Sequence, residues 1–220
     1  MGARPDDLTA DTSNSDWLTP QAQTLIDSAK AMAPTLAQRA AQAERDGMLP
    51  RQTINEIVAA GFFKVLQPKR FGGFEMDPRV FYSVQMALAE GCMATAWVYG
   101  VVGVHNWQLP LFPERAQQDV WGSNPQTLIA STYMPVGKAE KVEGGYRFSG
   151  HWQWSSGVEH CEWIFLGGIL PKKDGSGAME HCTFLLPKSD YKVVHNFDVL
   201  GLRATASHDI VVDNAFVPEH

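Results

Sequence analysis

Apolar residues along this chain change spacing near its middle, from the three-and-four interval of helices to the alternation of strands. Thr19 then Pro20 is an N-cap followed by proline at the first helical position. The Ala-, Gln-, Leu- and Glu-rich run behind it predicts a helix to Asp46–Gly47, with Pro34 as the place for a kink. A second helix is predicted from Pro50, with Ile54, Ile57 and Val58 at helical spacing, to a stop at Gly61. Phe62 to Leu66 is an apolar plug, and PKRFGGFEMD a turn-rich loop. Asp77–Pro78 caps a third helix reaching about Glu90. A fourth, Met93 to Gln108, is apolar almost all round and is predicted to be one buried helix. Pro113 opens a short amphipathic helix ending near Trp121–Gly122.

After Pro125, β-branched and aromatic segments alternate with turns: LIASTYM, KAEKVEGGYRFSGHWQW, WIFLGGIL, HCTFLLP, YKVVHNF and HDIVVDNAFVP. Glu143–Gly144–Gly145 marks a hairpin, and Lys172 to Gly177 an exposed loop. Six or seven strands in succession predict a small antiparallel barrel or sandwich. The expected fold class is therefore α+β: a mobile polar tail over 1–16, a helical domain over 17–125, and a β domain over 126–220.

Composition excludes several classes. With 45% hydrophobic and 19% charged residues, the chain is a soluble globular protein and not a disordered one. A net charge of -6 without a basic block argues against nucleic-acid binding. No apolar run reaches the length of a membrane span, and the first residues lack the apolar core of a signal peptide. Cys92, Cys161 and Cys182 are far apart with no CxxC pair, as expected for reduced thiols. The expectation is a cytoplasmic protein with no nucleic-acid or membrane partner.

Familiar motifs are missing. No GxGxxG follows a strand, and neither a GxxxxGK[ST] loop nor HExxH occurs. His160–Cys161 and His181–Cys182 lie in predicted strands, where neighbours face opposite ways, so each pair could give one ligand at most, and no metal is expected. The most distinctive stretch is GHWQWSSGVEHCEW, residues 150–163. Trp152 and Trp154 are predicted to share one face of a strand. The strand then breaks at Ser155, Ser156 and Gly157, where a flat polar group can approach the backbone.

Four pieces in one order, PKRFGG (68–73), VVGVHNWQLPLFPERAQQDVWG (101–122), GKAEKVEGGYRFSGHWQWSSGVEHCEW (137–163) and GLRATASHDIVVDNAFVPEH (201–220), resemble the acyl-CoA dehydrogenase-like fold. More narrowly, the serine pair and the histidine of VVGVHNWQ resemble its two-component flavin-dependent monooxygenase branch. The resemblance implies an oxygenase component that takes reduced flavin and O2 and hydroxylates a phenolic or polycyclic aromatic substrate through a C4a-hydroperoxyflavin. It implies reduced FMN, with FAD as the alternative, a separate NAD(P)H flavin reductase, and a homotetramer. By the same resemblance Ser155 and Ser156 lie against the isoalloxazine, with Ser156 at N5, and Trp97 and Trp154 lie beside the ring. Ser131, Thr132 and Tyr133 touch flavin and substrate, Ser131 bonding the substrate hydroxyl. His105 is the implied base, and an ordinary histidine pKa of about 6.5 suits a phenolic proton.

Departures accompany the likeness. Residue 154 is Trp where many relatives carry Phe, and Ala204 and Ala206 stand where glycine is frequent, a strained choice at positive φ. Arg203 is expected to brace that turn. The family continues beyond VPEH with a C-terminal helical bundle absent from this sequence. An acyl-CoA dehydrogenase relative with bound FAD, and a non-catalytic remnant acting as an assembly module, are the alternatives.

Overall fold

The computed structural model describes residues 16–172 and 174–220, so all of the expected tail except Asp16 lies outside the described residues. Helix α1 (Pro20–Asp46) starts where Thr19 Oγ1 accepts from the Ala22 amide at 3.2 Å. It ends at Gly47, whose φ of 67° turns its amide back to the Ala43 carbonyl, and it passes Pro34 as one element. Ala22, Leu25, Ile26, Ala29, Ala33 and Leu36 form its buried stripe. Helix α2 (Arg51–Ala59) is tied to α1 by Arg39, which donates to both Glu56 carboxylate oxygens at 2.6 and 3.1 Å. The Asp77 carboxylate caps α3 (Pro78–Gly91) by accepting from the Arg79 amide, and α3 packs along α1.

The expected fourth helix is two. Helix α4 (Met93–Gly103) gives way at Val104 to the short α5 (His105–Gln108). His105, at the start of α5, is buried against the sheet and bonds the Ile129 carbonyl. Nor is the segment buried all round: Met93, Trp97 and Trp107 are exposed while Val98, Tyr99, Val102 and His105 are buried. Helix α6 (Glu114–Trp121) closes the helical part. No helix among the described residues is long and apolar enough to cross a membrane.

Six strands follow among the described residues: β1 (Ile129–Val142), β2 (Gly145–Ser155), β3 (Trp163–Pro171), β4 (Met179–Pro187), β5 (Lys192–Val194) and β6 (His208–Pro218). They form one sheet in the order β4-β3-β1-β2-β6-β5. Its ladders are antiparallel except for β1 with β3, which run parallel. That exception arises because β1 spends one edge on its hairpin partner β2, and the chain crosses through a 3-10 turn (Val158–His160) to the other edge. The sheet curls: Phe184 on edge strand β4 stacks on Phe148 of β2 at 4.1 Å between centroids, although two strands lie between them.

Trp152 pegs the core. It is fully buried, and its indole donates to the carbonyls of Met134 at 3.1 Å and Gly167 at 2.9 Å. Gly150 makes room for it, since a Cβ there would stand 2.5 Å from the indole ring. One apolar cluster runs from α1 through α3 and α4 into the sheet, so helices and strands share a core. Arg203 does brace its turn: its guanidinium bonds Asp198 at 2.7 Å and the Glu44 carbonyl at 3.3 Å, while its amide donates to the Glu44 carboxylate at 3.0 Å.

Candidate functional site

The end of β2 departs from simple alternation, and Trp152 and Trp154 do not share a face. Trp152 pairs with Ile210 but Ser155 with His208, so Gln153 and Trp154 together oppose Asp209 alone. Trp154 takes a left-handed backbone with φ 62°, which throws its indole outward to 63% exposure. Ser155 is then fully buried, and its hydroxyl has no hydrogen-bond partner among the described residues. Only its backbone is left for a ligand on the outer surface.

Ser156 is half-buried and sits at a junction of helix and sheet. Its oxygen accepts from the Trp97 indole N–H at 3.0 Å and lies 2.7 Å from the Ser207 hydroxyl. Ser207 is in turn 2.7 Å from the Thr205 hydroxyl, which donates to the Leu202 carbonyl at 2.9 Å. Two turns are clasped here by the Gly157 amide, which donates to the Thr205 carbonyl at 2.8 Å. Gly157 has φ 71°, and a Cβ there would press to 2.8 Å of Val98 on α4, so glycine is what lets the turn approach Trp97's helix. Trp97 (46% exposed) and Ser156 therefore meet at one outward surface, with the exposed Trp154 two residues before the serine in the chain. That set fits the flat ring and polar edge of a flavin.

His105 lies deeper. Its Nδ1–H donates to the Ile129 carbonyl at 2.6 Å, which leaves Nε2 as an acceptor. The ring meets Phe165 edge-on at 5.5 Å and Tyr133 at 6.3 Å. Burial lowers its pKa to about 4, against the pull of the Ile129 hydrogen bond, so the expected value near 6.5 does not hold. Tyr133 belongs to a bulge: β1 and β3 lose register between Thr132 and Gly137, and Tyr133 leaves the ladder. Its hydroxyl donates to the Gln108 side chain and also bonds Ser131, and burial raises its pKa despite both. Thr132 spends its hydroxyl on the Gln153 carbonyl at 2.9 Å, tying β1 to β2.

Of the expected residues, Trp97 and Ser156 come together through a hydrogen bond, and His105, Ser131 and Tyr133 form a second group. Ser155 and Thr132 are turned to structural ends. Sequence reasoning missed Thr205, Ser207 and Gln108; the hydroxyls of GLRATAS were the available signal, obscured because their partner lies 51 positions away. It also missed Glu159, His195 and His208, whose ligand atoms lie within 4.8 Å of one another. These are engaged locally: His195 Nε2 meets Glu159 at 2.6 Å, and the Phe197 amide reaches His208 Nδ1 at 3.4 Å. His160 ends a 3-10 turn and is not in a strand as expected, while His181 in β4 bonds the Tyr133 carbonyl at 2.9 Å.

Residues 19–123 match the family model described as acyl-CoA dehydrogenase, N-terminal domain. The flavin-dependent monooxygenase, oxygenase subunit HsaA, of Rhodococcus jostii is 42% identical over 190 residues, 86% of this chain and 49% of that protein. The FADH(2)-dependent resorcinol hydroxylase, oxygenase component, of a Rhizobium species is 35% identical over 196 residues, covering 89% and 48%. The crystal structure of the HsaA monooxygenase from M. tuberculosis superposes with a TM-score of 0.86 at 42% identity, over 90% of this chain and 54% of that one. The chain thus spans about half the length of the relatives it matches. Fold and sequence agree: the chain belongs to the acyl-CoA dehydrogenase-like superfamily and is similar to the oxygenase subunits of its flavin-dependent monooxygenases.

Proposed function

We propose that this chain forms the flavin- and substrate-facing part of the oxygenase component of a two-component monooxygenase that hydroxylates a phenolic or polycyclic aromatic compound. The observation that carries this reading is the Trp97–Ser156 contact at the turn that follows the exposed Trp154. Bound reduced flavin would supply the activation of O2. Trp97 and Trp154 would cover its ring and keep water from it, and Ser156 would hold the proton at N5. His105 Nε2 would accept the substrate's phenolic proton, the Ile129 carbonyl fixing its tautomer. Ser131 would orient the substrate hydroxyl. Tyr133 supports a phenolic substrate, because it is itself a phenol held by Ser131 and Gln108 beside His105.

A separate NAD(P)H flavin reductase is the proposed partner, in keeping with the relatives' names as oxygenase subunit and oxygenase component. A homotetramer is the proposed assembly, and the division into helical and β domains at 125/126 is part of the same reading. Between flavins, the name of the Rhizobium relative favours FADH2 over the FMN expected from sequence. The test is anaerobic titration of the full-length gene product with reduced FAD and FMN, then admission of O2 with a panel of phenols and polycyclic phenols. Tight reduced-flavin binding and a hydroxylated product support the proposal. Bleaching of tightly bound FAD by an acyl-CoA would instead establish the dehydrogenase alternative, and failure to bind any flavin the non-catalytic one.

A further inference from the structure

The hydroxyl row behind Ser156 has a direction. Each hydroxyl has one proton to give. Thr205 gives its proton to the Leu202 carbonyl at 2.9 Å, and a carbonyl cannot donate, so the far end is fixed. The 2.7 Å contact between Thr205 and Ser207 then requires Ser207 to donate; otherwise two oxygens would face each other with no proton between them. Ser207, its proton spent, accepts from Ser156 across 2.7 Å. Thr205 and Ser207 are 2% and 5% exposed, so water is shut out as a competing partner. Ser156 has therefore committed its only proton inward and already accepts one from Trp97 Nε1. What it retains on its open side is a lone pair.

We propose that Thr205 and Ser207 are positioning residues that make Ser156 an obligate acceptor, so that the site selects flavin by redox state. This rests on the reading above that Ser156 meets flavin N5. Reduced flavin carries a proton on N5 and can donate it to that lone pair. Oxidised flavin presents a lone pair at N5, and two acceptors repel. The row thus favours arrival of the reduced cofactor from the reductase and departure of the oxidised one after turnover.

The test compares dissociation constants for reduced and oxidised FAD and FMN in the full-length gene product, wild type against Thr205→Val, Thr205→Ser, Ser207→Ala and Ser156→Ala. Valine removes the acceptor that holds the Ser207 proton; that proton can turn to Ser156, whose own is then free for oxidised N5. The preference for reduced flavin should fall by about tenfold, the scale of one hydrogen bond to a polar partner, mostly through tighter binding of the oxidised form. Thr205→Ser should keep the wild-type preference. Ser207→Ala should act as Thr205→Val does, and serves if the valine variant does not fold. A flavin-free readout is the Trp97 indole N–H resonance, identified by its loss in Trp97→Phe, which should move in Thr205→Val and stay in Thr205→Ser. An unchanged preference and an unmoved resonance in the folded variants overturn the relay while Ser156→Ala still shows whether Ser156 meets N5. If Ser156→Ala leaves both affinities as they were, the placement at N5 fails, and the proposal with it.

Discussion

The Trp97 indole N–H meets the Ser156 hydroxyl at 3.0 Å across 59 positions of sequence, joining helix α4 to the turn that ends β2. Each side chain orients the other, so neither should be replaceable without a cost in the coupling of O2 use to product. Ser156→Ala is expected to raise H2O2 release and lower product formed per NADH consumed, with the fold intact by circular dichroism. Trp97→Phe keeps an aromatic face but drops the donor, and should weaken reduced-flavin binding several-fold, within the roughly 0.5–1.5 kcal/mol of one hydrogen bond. Wild-type coupling in Ser156→Ala would remove that hydroxyl from the site.

His105→Ala should separate flavin binding from oxygen transfer. A base facing the substrate contributes little to holding flavin, so reduced-flavin affinity should persist while hydroxylation falls by about 10²–10⁴-fold. Raising the pH toward the substrate's own pKa should partly restore the rate, because a pre-ionised phenol needs no base. With its pKa near 4, the imidazole is neutral throughout the physiological range, and the wild-type rate should show no acid limb at a histidine's usual 6.5. Full hydroxylation by the alanine variant would reduce His105 to a packed core residue.

Acid should destabilise this fold earlier than carboxylate titration alone. His105 and His160 are both held near pKa 4, by burial first and, for His160, also by the charges of Arg51 and Lys188. Below 6.5 the unfolded chain takes up protons that the native one refuses. Each histidine's share of stability is thus whole above pH 6.5, drains as pH falls toward 4, and changes little beneath it. Between pH 6.5 and 5 the loss is about 2 kcal/mol per histidine. Urea denaturation of wild type and His160→Gln at both pH values checks this: the variant should lose about 2 kcal/mol less, and an equal loss would refute the assignment.

The GLRATAS turn carries strain at one of its two alanines. Ala204 sits inside a 3-10 turn, but Ala206 is left-handed at φ 46° and buried. A left-handed alanine costs roughly 1–2 kcal/mol, offset in a glycine variant by chain entropy and a lost methyl contact. Ala206→Gly should therefore raise Tm by a few degrees at most, and a fall in Tm would show that the methyl's packing outweighs the backbone strain.

Local chemistry made much of the fold legible. Thr19 with Gly47 and Asp77 with Pro78 bound their helices within a residue or so, because caps act over one turn. The Glu143–Gly144–Gly145 hairpin lies between β1 and β2 for the same reason. What stayed hidden depends on partners distant in sequence. His105's bond to Ile129 depends on a strand 24 positions away, the bulges at Trp154 and Tyr133 on the registers of facing strands, and the hydroxyl row on two turns that meet only in three dimensions. Alternation put Trp154 on the same face as Trp152; one extra residue in the ladder separated them.

That extra residue gives the strand a degree of freedom. Because Gln153 and Trp154 share a single opposing residue, excising Trp154 would restore plain alternation from Trp152 onward, and Ser155 would still point inward and Ser156 outward. The direction of Ser156 is thus independent of the residue at the bulge. On the proposed function, a lineage could enlarge, shrink or discard the indole at the bulge while the serine that follows keeps its geometry. In this architecture the range of molecules admitted can diversify without renegotiating the chemistry beneath.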